Sequence, residues 1–219
     1  MDKATFVNHA KAWRYAEEHE LAREPELVKQ ARTRAAQRNM PQPSAEQGTL
    51  LRTLAIAHHV TSAIIVGTSA LVEAAQLIDA LDAGCSLTAV DSSLAGAEQI
   101  RQFFARVHTR ATMRTVSTSP ATFLPRLNAS DYDLIVVCGD PSNYITAFAM
   151  APRLLRQHGI VAFTNIMAMD RKDAAVFNSA DRSQKTVAMR ALIHTVEEDD
   201  RFVTSLSSCG NGVLLAVMR

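Results

Sequence analysis

Between Ser62 and Glu198 one texture repeats five times: a short, continuous apolar run followed by an amphipathic stretch at helical spacing. The pairs are Ala63–Val66 with Leu71–Leu81, Leu87–Val90 with Leu94–Val107, Met113–Val116 with Ala121–Leu127, Leu134–Val137 with Tyr144–Gln157, and Ile160–Phe163 with Thr186–Glu198. Runs this short and this apolar read as strands buried on both faces, and the intervening helices are the crossovers that parallel neighbours need. The chain therefore predicts a mostly parallel, doubly wound α/β sheet. Its ending departs from the repeat. Phe202–Ser208 and Val213–Met218 are strand-like and flank Cys209-Gly-Asn-Gly212, a turn-rich segment suited to antiparallel pairing.

The N-terminal region has a different composition. Residues 3–38 are rich in Ala, Glu, Lys, Gln and Arg with one break at Glu24-Pro25, which predicts two helices. Pro41 and Pro43 end that region, and Ser44 followed by Gln47 has the form of a capping box opening a third helix over Ala45–His58. Residues 1–43 are thus expected to be a helical extension and 44–219 the catalytic-type domain. Residues 166–185 carry few large apolar side chains and are expected to loop over the carboxyl ends of the strands, where open α/β sheets bind ligands.

Composition excludes several classes of function. No apolar run approaches the ~20 residues of a membrane span, and the start MDKATFVNHAKAW lacks the apolar core of a signal peptide. Cys85, Cys138 and Cys209 are odd in number and widely spaced, unlike a disulfide framework or a zinc cluster, which fits a reducing cytoplasm. A net charge of +1 gives no field for nucleic acid or anionic lipid. The basic run Lys29–Arg38 reads as a solvated helix face.

The stretch Ala63-Ile-Ile-Val-Gly-Thr-Ser-Ala-Leu-Val-Glu-Ala-Ala75 has the outline of a cofactor-binding strand–turn–helix with one glycine left. Asp91 closes the second strand, where a carboxylate can hold two ribose hydroxyls or cap the next helix. Together with Asp133-Leu-Ile-Val-Val-Cys-Gly-Asp140, Leu154-Leu-Arg-Gln-His-Gly-Ile-Val161 and the tail from Asp200 through Gly212-Val-Leu-Leu-Ala, this order of elements resembles the cation-dependent O-methyltransferases of the catechol and caffeoyl-CoA type over roughly residues 40–219.

The resemblance implies a class I methyltransferase fold and transfer of the S-adenosylmethionine methyl group to a small-molecule hydroxyl, leaving S-adenosylhomocysteine. It also implies a homodimer, with the N-terminal helices helping to form the acceptor pocket. Residue by residue, it puts Gly67, Thr68 and Ser69 in the first cofactor loop, Asp91 on the ribose, Ser119 near the base, and Cys138 and Asp140 beside the cofactor.

The departures from the family pattern are specific. Ile65, Ser69 and Leu71 replace a Glu and two Gly of the first loop, and the branched Leu71 is expected to crowd a close backbone approach. Cys138 and Thr164 stand where relatives have metal-binding Asp, leaving Asn165 as the retained ligand, so magnesium is not expected. Asp140 is the ionisable candidate for a catalytic base. Two readings stay open: a metal-independent O-methyltransferase, favoured by Gly67, Asp91, Asp140 and Asn165, and a non-catalytic binding or interaction module, favoured by Ile65, Leu71, Cys138, Pro141 and Thr164.

Overall fold

The computed structural model describes residues 3–170 and 174–219. Three helices, α1 (Lys3–Arg23), α2 (Glu26–Gln37) and α3 (Ala45–Ala57), precede the sheet. Alternating strands and helices then follow: β1 (Ser62–Gly67), α4 (Leu71–Ala80), β2 (Ser86–Asp91), α5 (Leu94–Phe104), β3 (Thr112–Ser117), the single turn α6 (Pro120–Phe123), β4 (Tyr132–Val137), α7 (Pro141–Leu154), β5 (Leu155–Thr164) and α8 (Gln184–Glu197). The chain ends in β6 (Phe202–Ser207) and β7 (Val213–Met218).

The seven strands lie in the order β3-β2-β1-β4-β5-β7-β6. Pairings from β3 through β5 are parallel, whereas β7 runs antiparallel to both β5 and β6. This is the predicted parallel sheet with an antiparallel finish. Its register brings the ends of β1 and β2 level, Gly67 opposite Asp91.

Strand period sorts the core into two layers. Ala63 and Ile65 pack with α2, α4 and α5 on one face. Ile64 and Val66 pack with α7 and α8 on the other. Tyr144 and Phe163 are fully buried in that second layer and stack with ring centroids 6.2 Å apart.

Several boundaries differ from the sequence expectation. The stretch after β3 forms only one α-turn and a 3₁₀ turn at Leu124–Arg126, because Pro120 opens the helix at its first position and Pro125, lacking an N–H, stops it from continuing. Leu155–Gln157, expected at the end of a helix, already belong to β5. The Ser44 hydroxyl does accept from the Gln47 amide at 3.1 Å. The Gln47 side chain, however, does not return to the cap: it donates 3.0 Å to the Gly212 carbonyl and pins α3 to the β6–β7 turn.

The N-terminal helices share the core of the sheet. Val28, Ala31 and Ala35 of α2 are fully buried in the first core cluster. Glu24, at the α1–α2 joint, takes both a guanidinium from Arg32 and a 3.4 Å bond from Gln76 of α4. Of the loop expected over residues 166–185, positions 171–173 lie outside the described residues. The rest is tied down by Arg190 of α8, whose guanidinium donates to the carbonyls of Val176 and Asp181 at 2.7 and 2.9 Å.

Candidate active site

The carboxyl ends of β1, β4 and β5 converge on a pocket of about 420 Å³. Thr68 from the β1 loop, Glu73 from α4, Cys138, Gly139 and Asp140 after β4, and Asn165 after β5 form its wall. Asp170, Lys185, Pro41, Gln42 and Asn211 complete the rim, so the N-terminal segment and the last turn both reach the site.

The β1 loop is tight. Three residues, Thr68–Ala70, join the strand to the helix, and Ser69 adopts φ +60°. Leu71 is the first residue of α4 and is fully buried in the core. It does not face the pocket, so the crowding expected at Leu71 is absent: the helix begins there and turns the side chain inward.

Two loops touch at Gly139. Its φ is +81°, and a Cβ there would stand 2.7 Å from the Thr68 amide nitrogen, so the close approach of the β1 and β4 loops requires glycine. Thr68 Oγ1 accepts from Asn143 Nδ2 at 3.2 Å, and Asn143 also donates 2.9 Å to the Cys138 carbonyl. Asn143 thus braces both loops, and Tyr144 beside it donates 2.8 Å to the Thr164 carbonyl. The Asn-Tyr step therefore fixes the ends of β4 and β5.

Asp91 is only 1% exposed. Its Oδ2 accepts from the Ser69 amide and its Oδ1 from the Ser93 amide, both at 2.7 Å. Burial pushes its carboxyl above the usual range, and the two amides pull it partly back. Gly96, in the first turn of α5, makes this packing possible, since a Cβ there would collide with Asp91 Oδ2 and lie 2.8 Å from Ser69 Oγ. As folded, both oxygens of Asp91 clamp backbone, tying the loop after β1 to the start of the loop after β2. Ser119 is exposed and caps α6, its hydroxyl 2.8 Å from Thr122 Oγ1.

Asp140 is exposed and is the N-cap of α7. Its Oδ1 accepts from the Ser142 hydroxyl at 2.6 Å and the Ser142 amide at 2.9 Å, which hold the carboxyl below the usual range. It is a persistent anion at the pocket mouth and a weak proton acceptor.

The pocket's least satisfied group is one the sequence reasoning passed over. Glu73 is 5% exposed, and its Oε2 has no hydrogen-bond partner. Burial raises its carboxyl to about 7, against the pull of its own amide and the Cys138 thiol, both of which donate to it. Cys138 is 1% exposed, and burial next to Glu73 and Asp91 pushes its thiol well up, so it is held as the neutral SH. One signal was available in sequence: Glu73 is the only charged residue in the stretch Ala70–Ile78, whose other residues are apolar except Gln76.

The pocket is accordingly rich in acceptors, with Glu73, Asp140 and Asp170 set against Lys185, which pairs with Asp170 at 2.5 Å. That balance suits a guest carrying positive charge. Magnesium fits poorly at the ends of β4 and β5, where a neutral thiol at Cys138 and the Thr164 hydroxyl, donating to the Val137 carbonyl at 3.3 Å, supply no hard anionic oxygen. No cluster of three or more His, Cys, Asp or Glu able to hold a metal occurs among the described residues.

The sequence pattern of a family described as O-methyltransferase matches residues 16–219, so the family region includes most of the N-terminal helices. A Mycobacterium ulcerans protein named "Putative O-methyltransferase" is 29% identical over 196 residues, covering 89% of this chain and 85% of its own length. The structure of a Bacillus cereus O-methyltransferase in complex with S-adenosylhomocysteine superimposes with a TM-score of 0.77 at 17% identity, over 95% of this chain and 97% of that one. A Streptomyces achromogenes O-methyltransferase involved in tomaymycin synthesis, in complex with S-adenosylmethionine, gives a TM-score of 0.73 at 19% identity, covering 90% and 91%.

Proposed function

The chain belongs to the O-methyltransferase family, whose enzymes move the methyl group of S-adenosylmethionine to a hydroxyl, and we propose that it does so on a small molecule without a divalent metal. The observation that carries this reading is the acceptor-rich pocket at the carboxyl ends of β1, β4 and β5. Within the family we read the chain as a descendant of the cation-dependent type in which Cys138 and Thr164 have replaced ligand carboxylates and Asn165 is retained. The neutral, buried Cys138 thiol supports that reading.

When bound, the cofactor supplies an activated methyl group. This chain's residues supply position, charge and exclusion of water. Gly67, Thr68 and Ser69 form the loop against which the methionine end rests, with Cys138 closing its floor. Asp140, kept ionised by Ser142, is the counter-charge for the cofactor's ammonium at the mouth. Asp91 takes the ribose in exchange for the Ser69 amide, and Ser119 lies on the base side. Positioning of donor and acceptor carries much of the acceleration in such an in-line displacement, with effective molarities on the order of 10⁵ M or more in well-oriented cases.

The N-terminal helix α1 leaves Trp13 and Tyr15 51% and 70% exposed, which supports a homodimer formed through that helix, a point light scattering decides. No helix among the described residues is long and apolar enough to cross a membrane.

The experiment that tests the function is transfer of a labelled methyl group from S-adenosylmethionine to a panel of phenolic and other small hydroxylated compounds, with EDTA present. Label in a small-molecule product supports the proposal. Cofactor binding without transfer to any acceptor, with or without magnesium, favours the non-catalytic module.

A further inference from the structure

We propose that Glu73 is the proton acceptor of this active site, the carboxylate that takes the hydroxyl proton as the methyl group moves. The inference rests on the reading of the pocket as a methyl-transfer site. Three observations carry it. Glu73 lines the pocket, it is 5% exposed, and its Oε2 lacks a partner while its other interactions, from its own amide and the Cys138 thiol, are accounted for.

An unpaired carboxylate oxygen in a buried site is costly to keep, and a purely structural role for Glu73 explains only the amide it accepts at the start of α4. An arriving positive charge and a hydroxyl donor would satisfy the remaining oxygen. Burial raises the group to about 7, close to the value at which a carboxylate is both ionised and basic at neutral pH. Asp140 is the opposite case, exposed and held acidic by Ser142.

The charged and titratable groups around Glu73 are few. Cys138 at the end of β4 is in hydrogen-bonding contact, and the buried Tyr144 hydroxyl of α7, which donates to the Thr164 carbonyl, feels the Glu73 charge. Arg32 of α2 acts on it through space but is engaged by Glu24. Asp140, Asp170 and Lys185 line the same pocket, the last two as an ion pair. Asp91 faces Cys138 from β2 and is clamped by Ser69 and Ser93.

In the step itself Glu73 Oε2 takes the proton of the acceptor hydroxyl, while that oxygen's electron pair forms the bond to the methyl carbon. The electron pair of the breaking methyl–sulfur bond leaves on sulfur. An anion and a sulfonium thereby become a neutral carboxyl and a neutral thioether, beside the methyl ether. Glu73 returns its proton to water through the pocket mouth.

The test needs no acceptor. S-adenosylmethionine is positive at sulfur and S-adenosylhomocysteine is neutral there, so a Glu73 at the reacting centre is driven to ionise by the first and not by the second. Calorimetry of the full chain in buffers of different ionisation enthalpy is expected to show S-adenosylmethionine releasing about half a proton more per site than S-adenosylhomocysteine at pH 7. As pH increases towards 7, its affinity is expected to rise by up to about tenfold per unit. Infrared difference spectra should show a protonated-carboxyl band lost on adding S-adenosylmethionine, absent in Glu73→Gln and shifted in Glu73→Asp. The wild-type spectrum alone keeps the test decisive if a variant does not fold. Equal proton release for the two ligands, or an unchanged carboxyl band, overturns the assignment. Failure of both ligands to bind overturns the methyl-transfer reading itself, a separate and recognisable outcome.

Discussion

The carboxylate of Asp91 and the backbone amide of Ser69 are joined by a 2.7 Å hydrogen bond that ties the end of β2 to the loop after β1. With the matching bond from Ser93, it makes Asp91 a two-sided clamp. Charge-assisted bonds of this kind contribute roughly 1.5–3 kcal/mol each. Asp91→Ala should therefore destabilise the fold by about 3 kcal/mol in urea unfolding and accelerate hydrogen exchange at the Ser69 amide. If Asp91 also holds the ribose, S-adenosylhomocysteine binding falls in the same variant; unchanged affinity would leave Asp91 as a clamp alone.

Gly96 and Gly139 are predicted to tolerate no side chain, for different reasons. At Gly96 an added Cβ would strike Asp91 Oδ2 and push Ser69 away from it. Gly139 combines that kind of collision, with the Thr68 amide, with a left-handed φ of +81°. Alanine at either position should cost about 1–3 kcal/mol by thermal unfolding, in the range of overpacking and backbone strain. The Gly139 variant should lose cofactor affinity more than stability, because it separates the two loops that line the pocket.

Glu73 predicts a pH dependence of stability. Its folded value of about 7 is raised from 4.5, so the native state holds a proton that the unfolded chain has lost between those values. The stability this contributes is fully present below about pH 4.5 and is lost as pH rises through about 7. At about 1.4 kcal/mol per unit, the wild type forfeits on the order of 3 kcal/mol at pH 8, and Glu73→Gln does not. The variant should melt several degrees higher at pH 8 and close to the wild type at pH 4.5, as is common when a strained functional group is removed.

Magnesium should leave the protein unaffected. With Cys138 held as a neutral thiol and Thr164 bonded to Val137, neither position supplies the hard anionic oxygen the ion prefers. Added magnesium or EDTA is expected to shift neither melting temperature nor methyl transfer. A magnesium-dependent rise in melting temperature would reveal another ligand set, with Asp140 and Asp170 at the pocket rim its first suspects.

The sheet was legible because its strands are short, apolar and separated by helical spacing, and because the Cys209–Gly212 turn marks the antiparallel finish. Where expectation and structure part, side chains reach across the fold. Gln47 looked like half of a capping box, yet its amide bonds Gly212, a partner 165 positions away. Leu71 looked like an obstruction in the cofactor loop, and the structure turns it into the core at the first position of α4. Asp91 was marked for the ribose or for a local cap, and the spacing could not show that Ser69 would fold onto it. Glu73 was hidden by its helix: a first-turn Glu is ordinary, and only the packing of α4 against the end of β4 reveals that it is buried beside a thiol.

The most direct measurement is a calorimetric titration of the purified chain with S-adenosylmethionine and S-adenosylhomocysteine, with and without magnesium. The account predicts micromolar binding of both, indifferent to magnesium, weakened by the Gly139→Ala change. No binding up to millimolar concentration would contradict it and leave the pocket behind Thr68 and Gly139 to a different ligand.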